Sequence, residues 1–265
     1  MIIDFHTHIF PDKIAARTIE ALEARAGLTA STDGTLKGLL TSMEAAGIDM
    51  SVILPVVTKP SQFETVNTFA ASVSGMYPGK LISFGGIHPD TEDYKGELDR
   101  IKALGLKGIK IHPDYQGVMI DDVRYMNIIE YADALDLAII THAGIDIGLP
   151  EPVHCPPDKM RKVLDTLKPK KMIAAHYGGW KQWEEVYEYL AGEDIYLDTA
   201  FTFGHIGEEM FYKILEKHGV DKILFATDCP WGNQKNDLES FRKLNLTSKV
   251  KDAILYKNAL ELLEI

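Results

Sequence analysis

The sequence predicts an α/β fold, a closed (β/α)8 TIM barrel that forms a single domain over residues 1–265. Short apolar, β-rich segments alternate about eight times with longer segments of helical periodicity. No low-complexity tract, charge block or proline- and serine-rich linker divides the chain. Candidate ligand side chains follow the first, fifth, sixth and eighth strands. One rim of a closed barrel would collect them, whereas an open doubly wound sheet would not.

The predicted strands are apolar runs that mostly end on a polar residue. They cover residues 2–6, 51–55, 81–87, 108–112, 138–142, 172–176, 195–198 and 223–228. Helices are predicted between them where apolar residues recur at i, i+3 and i+4. The clearest helical segments are residues 121–135, 180–190, 208–217 and 248–263, and residues 27–34 are predicted to be a loop or small insertion after the first helix.

Composition and charge exclude several classes of partner. The formal net charge is −11 and the isoelectric point is about 5.3, which disfavours nonspecific binding to nucleic acid or to anionic membranes. No apolar stretch is long enough to cross a bilayer, and the N-terminus lacks the basic region of a signal peptide, so we expect a cytoplasmic protein. Two cysteines make no disulfide framework. The expected partner is a small-molecule substrate, and a homo-oligomer is left open.

Polar side chains at strand ends carry the functional signal. His6 and His8 lie two residues apart, so an extended strand would project both imidazoles to one side, where they can chelate a single metal ion. His142, His176 and Asp228 each close a later apolar run. A lone histidine at a strand end is more often a hydrogen-bonded structural residue. Several polar side chains at the strand ends of one barrel favour an active site, because the active sites of barrel enzymes lie at the C-terminal ends of the strands.

These motifs resemble the amidohydrolase superfamily. The resemblance is carried by Asp4-Phe5-His6-Thr7-His8, by the strand-end His142 and His176, and by Thr227-Asp228-Cys229-Pro230. Within the superfamily the chain looks most like the amidohydrolase-related family that includes aminocarboxymuconate semialdehyde decarboxylase, to whose C-terminal helix residues 257–263 are similar. The resemblance covers nearly the whole chain and is specific for the superfamily rather than for one substrate.

The resemblance implies a role for each motif residue. His6 and His8 would bind the metal from the first strand, His142 would be the third nitrogen ligand, and Asp228 would be the carboxylate ligand. His176 would act in catalysis by polarising the substrate or handling a proton, and Asp228 would also carry a proton. Three imidazoles and one carboxylate suit a divalent metal, with Zn²⁺ preferred and Mn²⁺, Fe²⁺ or Co²⁺ as alternatives.

Lys110 and His112 form a second pair two residues apart, on the fourth predicted strand. If Ile109 and Ile111 meet the outer helices, Lys110 and His112 face the barrel interior. Binuclear members of the superfamily use a carboxylated lysine on this strand, so one or two metals stay open. The competing interpretations of Lys110 are a contact to a substrate anion and a salt bridge to a rim carboxylate. We favour one metal, with Lys110, His112 and Trp231 as substrate-binding residues.

Three functions follow, in order of preference. The first is a metal-dependent hydrolase that uses a metal-activated water on a small carbonyl, amide or lactone substrate. The second is a metal-dependent nonoxidative decarboxylase of a small carboxylic acid, which would need cationic groups for the substrate carboxylate. The third is a metal-binding barrel with a structural or sensory role, which would need a closed coordination shell. The identity of the substrate does not follow from the sequence.

Overall fold

The computed structural model describes residues 1–149 and 151–265, and it contains a parallel barrel. The predicted third strand is divided at Phe84 into two short segments, which gives nine labelled strands. They are β1 Ile3–Thr7, β2 Met50–Ile53, β3 Leu81–Ser83, β4 Gly85–Gly86, β5 Gly108–Ile111, β6 Ala138–Thr141, β7 Met172–Ala174, β8 Tyr196–Asp198 and β9 Ile223–Leu224. The predicted alternation of strands and helices is confirmed.

Two parallel sheets join to close the barrel. One has the order β1-β2-β3 and the other runs from β4 to β9 in sequence order. The backbone N–H of Phe84 donates to the carbonyl of Ile53 at 3.0 Å and so links the sheets on one side. On the other side Phe5 donates to Phe225 at 2.9 Å, and Thr7 bridges in parallel to Cys229. Because all the strands are parallel and the chain just after the last one bridges to the first, their C-terminal ends lie together around one rim.

Helices cover the outside of the barrel and also extend its rim. They are α1 Asp12–Ala26, α2 Leu36–Ala46, α3 Phe63–Met76, α4 Tyr94–Ala103, α5 Pro113–Gln116, α6 Val123–Ala134, α7 Pro157–Leu167, α8 Trp183–Tyr189, α9 Glu208–His218, α10 Gln234–Lys243, α11 Ser248–Asp252 and α12 Asn258–Leu263. The predicted C-terminal helix is divided by a π-helical turn at Ala253–Lys257. A 3-10 turn at Pro60–Gln62 precedes α3. Within the described residues, no helix is long and apolar enough to cross a membrane.

The first helix belongs to the rim rather than to the outer layer. Its buried residues are Ala15 and Ile19. In α2, by contrast, Leu39 and Met43 are fully buried, and that helix packs against α10. The side chain of Leu22 on α1 lines a cavity above the barrel. The predicted insertion at residues 27–34 is therefore the return from α1, and α2 completes the first strand–helix unit.

Six of the eight predicted strands extend further at the C-terminal end than the observed ones, the first and the seventh being the exceptions. His142 and Asp228 follow the last strand residues Thr141 and Leu224 instead of ending their strands. His176 and Asp228 adopt positive φ angles of 58° and 65°, a conformation that an extended strand does not contain. The chain therefore turns at these residues, and the turn directs their side chains over the mouth of the barrel.

Candidate active site

Three side-chain atoms meet at the mouth of the barrel. His6 Nε2 lies 3.1 Å from His8 Nε2, and Asp228 Oδ1 lies 3.3 Å from the first and 3.1 Å from the second. His6 comes from β1, His8 lies just past it, and Asp228 follows β9. The backbone bond from Asp228 N–H to the His6 carbonyl, 2.9 Å long, holds these two segments together. The predicted convergence of the N-terminal imidazole pair with the aspartate is thus present in the structure.

The hydrogen bonds around the two imidazoles determine which nitrogens carry protons. His8 Nδ1 lies 2.6 Å from the carbonyl oxygen of Leu54, which can only accept, so this nitrogen donates. His6 Nδ1 lies 2.7 Å from Asp198 Oδ2 and donates to that carboxylate. In the neutral imidazoles both Nε2 atoms therefore carry lone pairs that face one point together with a carboxylate oxygen. Three acceptors that face one point need donors or a cation among them, and Lys110 Nζ, 3.1 Å from His6 Nε2, meets only one of the three.

The spacing of these three atoms fits a transition-metal ion. Ligands at about 2.1 Å from a metal lie about 3.4 Å apart in tetrahedral geometry and about 3.0 Å apart in octahedral geometry. The observed separations of 3.1–3.3 Å fall within this range. The carboxylate that fixes the tautomer of His6 is also the kind of partner that metal-binding histidines have. The residues present therefore fit a divalent metal, without distinguishing zinc from manganese.

Lys110 approaches this group from inside the barrel. Its side chain is buried, as predicted, and Nζ lies 3.1 Å from His6 Nε2. Burial lowers the pKa of Lys110 to about 8, although the carboxylates of Asp198 and Asp228 oppose the shift. Among the described residues, no carboxylate oxygen lies within 4.0 Å of this ammonium group. The structure therefore gives no support to the predicted salt bridge with a rim carboxylate.

His142 and His176 form a second pair beside the three-atom group. His176 Nδ1 donates to the carbonyl of Ala200 at 3.0 Å, so its Nε2 is free to accept from His142 Nδ1, also at 3.0 Å. This leaves a lone pair on His142 Nε2, which is buried without a hydrogen-bond partner among the described residues and lies 3.9 Å from Asp114 Oδ2. In this rotamer His142 does not join His6, His8 and Asp228. Its assignment as the third nitrogen ligand stays a prediction.

A wall of stacked rings continues from His142 toward solvent. The ring of His112 stacks on that of His142 with centroids 4.3 Å apart, and Tyr115 stacks on His112 at 4.0 Å. Two carboxylates flank the stack. Asp146 Oδ2 lies 3.6 Å from His112 Nε2, and Asp114 Oδ1 accepts from both the backbone N–H and Nδ1 of His154 at 3.0 Å.

The three-atom group, Lys110, the His142–His176 pair and the stacked rings open into one cavity. Its volume of about 640 Å³ is within the range of small-molecule sites. Every residue predicted for the site lines it. These residues are His6, His8, Lys110, His112, His142, His176, Asp228 and Trp231. Side chains from α1 and α3 supply a more apolar outer part, which includes Leu22 and Phe69. The cavity therefore joins a polar floor to an apolar entrance.

Three aspartates contribute to the site beyond the predicted residues. The two oxygens of Asp198 accept from His6 Nδ1 and from the backbone N–H groups of His176 and Ala200. Asp114 and Asp146 were not singled out at all. The available signal was that each follows a strand on the rim, at His112-Pro113-Asp114 and at Gly144-Ile145-Asp146. Aspartates in loops are common, so position alone did not distinguish them.

Burial keeps four histidines of the site neutral, namely His6, His112, His142 and His176. It lowers the pKa of His176 to about 4 and holds the pKa values of His6, His112 and His142 well below the usual range. Each group therefore binds a proton more weakly in the folded protein than in the unfolded chain. The stability that each neutral imidazole contributes to the folded protein is complete above a pH of about 6.5, the pKa of histidine in the unfolded chain. It is lost as the pH falls below that value.

His176 should therefore destabilise the metal-free protein as the pH falls from 6.5 to 4, whereas buried carboxyls with raised pKa values, such as Asp146 with a pKa of about 6, act in the opposite direction. His176 alone should contribute a slope of about 1.4 kcal/mol per pH unit in that window. Urea denaturation at pH 7, 6 and 5 measures this slope. His176→Asn should make it shallower, and asparagine tolerates the positive φ of this position. An unchanged slope in the variant would show that His176 does not titrate in this way.

Fold and site together define a class of protein: a (β/α)8 barrel with an imidazole–carboxylate centre at the C-terminal mouth of its strands. The family model named Amidohydro_2 and described as Amidohydrolase matches residues 3–265. The chain belongs to this amidohydrolase family, and the resemblance found in the sequence is confirmed. No curated protein sequence matches the chain.

Solved structures agree with the fold. An uncharacterised TIM-barrel protein from Bordetella bronchiseptica is 21% identical with a TM-score of 0.84, covering 99% of this chain and 98% of that one. A 5-carboxyvanillate decarboxylase from Novosphingobium aromaticivorans, complexed with manganese, is 15% identical with a TM-score of 0.76, covering 100% and 96%. A dihydroxybenzoic acid decarboxylase from Polaromonas, with bound manganese, is 16% identical with a TM-score of 0.73, covering 99% and 96%. At these identities the likeness establishes the TIM-barrel fold.

Proposed function

We propose that the protein is a metal-dependent hydrolase acting on a small carbonyl, amide or lactone substrate. The observation that carries this proposal is the group of three acceptor atoms from His6, His8 and Asp228, which faces a cavity large enough for a substrate. A divalent ion held there would supply Lewis acidity and lower the pKa of a water molecule. Zinc stays the preferred ion, and manganese is supported by the solved structures of two similar proteins.

The residues of the chain have separable roles in this proposal. His6, His8 and Asp228 would hold the ion, with His142 as the proposed third nitrogen ligand after a turn of its ring away from His176. Asp198 keeps the proton of His6 on Nδ1, and thereby keeps the Nε2 lone pair available. Lys110, His112 and Trp231 line the cavity and are proposed to bind the substrate. One metal ion per chain is proposed, with Lys110 unmodified.

Proton transfer is assigned to Asp228 and His176. The Asp228 carboxylate lines the cavity, so it can accept a proton from an attacking water and deliver it to the leaving group. His176 is neutral at physiological pH, because burial lowers its pKa to about 4. With Nδ1 fixed as a donor to Ala200, its Nε2 atom is available to take a proton or to orient one between itself and His142.

The second candidate is a nonoxidative decarboxylase. It is supported by the decarboxylases among the similar structures and by the buried ammonium group of Lys110, which could meet a substrate carboxylate. Two arginines that could in principle supply a further cation are paired with carboxylates elsewhere. Arg124 pairs with Asp90 and Asp122, and Arg161 pairs with Asp165 and Glu193. We prefer hydrolysis because, of the arginines, only Arg25 lies among the described residues that line the cavity.

The test is a comparison of reaction types on metal-loaded protein. Protein reconstituted with Zn²⁺ or Mn²⁺ is incubated with a panel of small amides, lactones and aromatic carboxylates in ¹⁸O-labelled water. A hydrolase will place the label in the acid product of an amide or lactone. Release of carbon dioxide with no ¹⁸O in the organic product would instead identify a decarboxylase and reject the proposal. A cytoplasmic location stays a prediction, as does any oligomeric state.

A further inference from the structure

One corner of the cavity, formed by Asp114 and Asp146, is not used by the proposed metal centre. Asp114 is the second residue of the short helix α5, and its side chain is only 3% exposed. Its Oδ1 is saturated by two bonds from His154, whereas Oδ2 is buried with no hydrogen-bond partner among the described residues. An unpartnered carboxylate oxygen at this depth is unfavourable unless a ligand supplies a donor.

Asp146 supplies a second acceptor in the same corner. It lies in the loop after β6, and its Oδ1 accepts from the backbone N–H of Gly148 at 2.8 Å. Its Oδ2 is 3.6 Å from His112 Nε2, which is longer than a good hydrogen bond. Burial raises the pKa of Asp146 to about 6, and the nearby Asp114 carboxylate adds to this shift. Arg25 lines the same cavity and partly opposes this shift, but among the described residues no lysine or arginine nitrogen lies within 4.0 Å of either carboxylate. The two acids therefore face a common region without a direct ion pair to a lysine or arginine.

The surrounding groups favour an organic cation over a second metal ion. His112 Nδ1 accepts from the backbone N–H of Tyr115 at 3.3 Å, so the proton of the neutral ring is on Nε2, the nitrogen that faces Asp146. A protonated nitrogen cannot bind a metal. The stacked rings of His112 and Tyr115 instead offer aromatic surface, against which an ammonium group is stabilised.

We propose that Asp114 and Asp146 bind a primary ammonium group of the substrate. This inference rests on the proposed function, because it assigns the substrate class of the same cavity: amides, esters or lactones that carry an amino group. The ring of His142 reaches from His176 to the neighbourhood of Asp114. The ammonium group and the carbonyl that reacts would therefore both lie in this one cavity.

The proposal is tested with three probes of one shape and different charge: benzylamine, benzyl alcohol and benzoate. Their binding to Mn²⁺-loaded protein at pH 7.5 is measured by calorimetry. We expect benzylamine to bind at least about tenfold more tightly than benzyl alcohol, since bonds to a charged group are involved. Benzoate should bind more weakly than either. Asp114→Asn and Asp146→Asn should each reduce the preference for the amine about tenfold.

A matched control is Asp165→Asn, which removes an exposed carboxylate of α7 that pairs with Arg161. It should leave all three affinities unchanged. Repeating the measurement on metal-free protein excludes coordination of the amine to the metal, and circular dichroism checks that each variant is folded. Metal analysis of the wild-type protein accompanies these measurements.

Three results would overturn the proposal. They are tightest binding of benzoate, an unchanged preference for the amine in both folded variants, and a second equivalent of Mn²⁺ that is lost on substitution of Asp114. None of these measurements requires turnover. A failure to hydrolyse any substrate would therefore reject the proposed hydrolase and leave the ammonium site to be judged on binding alone.

Discussion

Asp228→Asn is expected to release the metal and to lower turnover about a thousandfold or more, since it removes a negative ligand and a proton carrier together. Asparagine is the appropriate replacement because Asp228 has a φ of 65°, a conformation that asparagine adopts readily and alanine does not. The backbone bond between Asp228 and His6 should therefore survive in the variant. Metal content by elemental analysis and kcat/KM on the identified substrate are measured together.

The control for this prediction is Asp252→Asn. Asp252 is an exposed carboxylate on α11 whose nearest cation is Lys257 at 3.8 Å, far from the cavity lining. This variant should keep both metal and activity. Full activity of Asp228→Asn with a full complement of metal would reject the assignment of Asp228 as ligand and proton carrier.

Asp198→Asn is expected to weaken metal binding by about 10- to 100-fold without removing any proposed ligand. The amide oxygen can still accept from the backbone N–H groups of His176 and Ala200. The amide nitrogen then faces His6 Nδ1, where Asp198 Oδ2 now accepts a hydrogen bond of 2.7 Å. Two donors cannot share that position, so His6 would move its proton to Nε2 and lose the lone pair that faces the metal.

Competition with a fluorescent chelator measures the dissociation constant for Zn²⁺ or Mn²⁺ in this variant. Urea denaturation of the metal-free variant serves as the control, because a general loss of folding would lower affinity as well. A stable variant whose metal affinity equals that of the wild type would contradict the proposed control of the His6 tautomer.

The sequence was sufficient for the architecture because the relevant signals are local. Apolar runs at strand spacing and helical periodicity between them predicted the alternating elements, and the structure confirms a closed parallel barrel. The spacing of His6 and His8 also predicted correctly that both imidazoles face the same side. The ends of the strands were predicted less well, because the turns at His176 and Asp228 interrupt sequences that have high strand propensity.

Other parts of the candidate site depend on contacts between distant segments. The contribution of Asp198 to the site is its hydrogen bond to His6. Local sequence patterns do not predict this bond, because the two residues are 192 positions apart along the chain. The orientation of His142 toward His176 and Asp114 likewise depends on two other rim segments. Position in a strand predicts the direction of a Cβ atom, but it does not predict which ring nitrogen carries a proton.

The sequence by itself determined the barrel, the family and eight of the side chains that line the cavity, since hydrophobic period and short motifs are properties of neighbouring residues. Only the tertiary structure decided that Asp198 fixes the proton of His6, that His142 lies against His176, and that Asp114 and Asp146 share an unpaired corner. These features depend on distances of a few ångströms between loops that the closed barrel brings to one rim. Hydrogen bonding and electrostatic interactions act over those distances in space, whatever the separation along the chain.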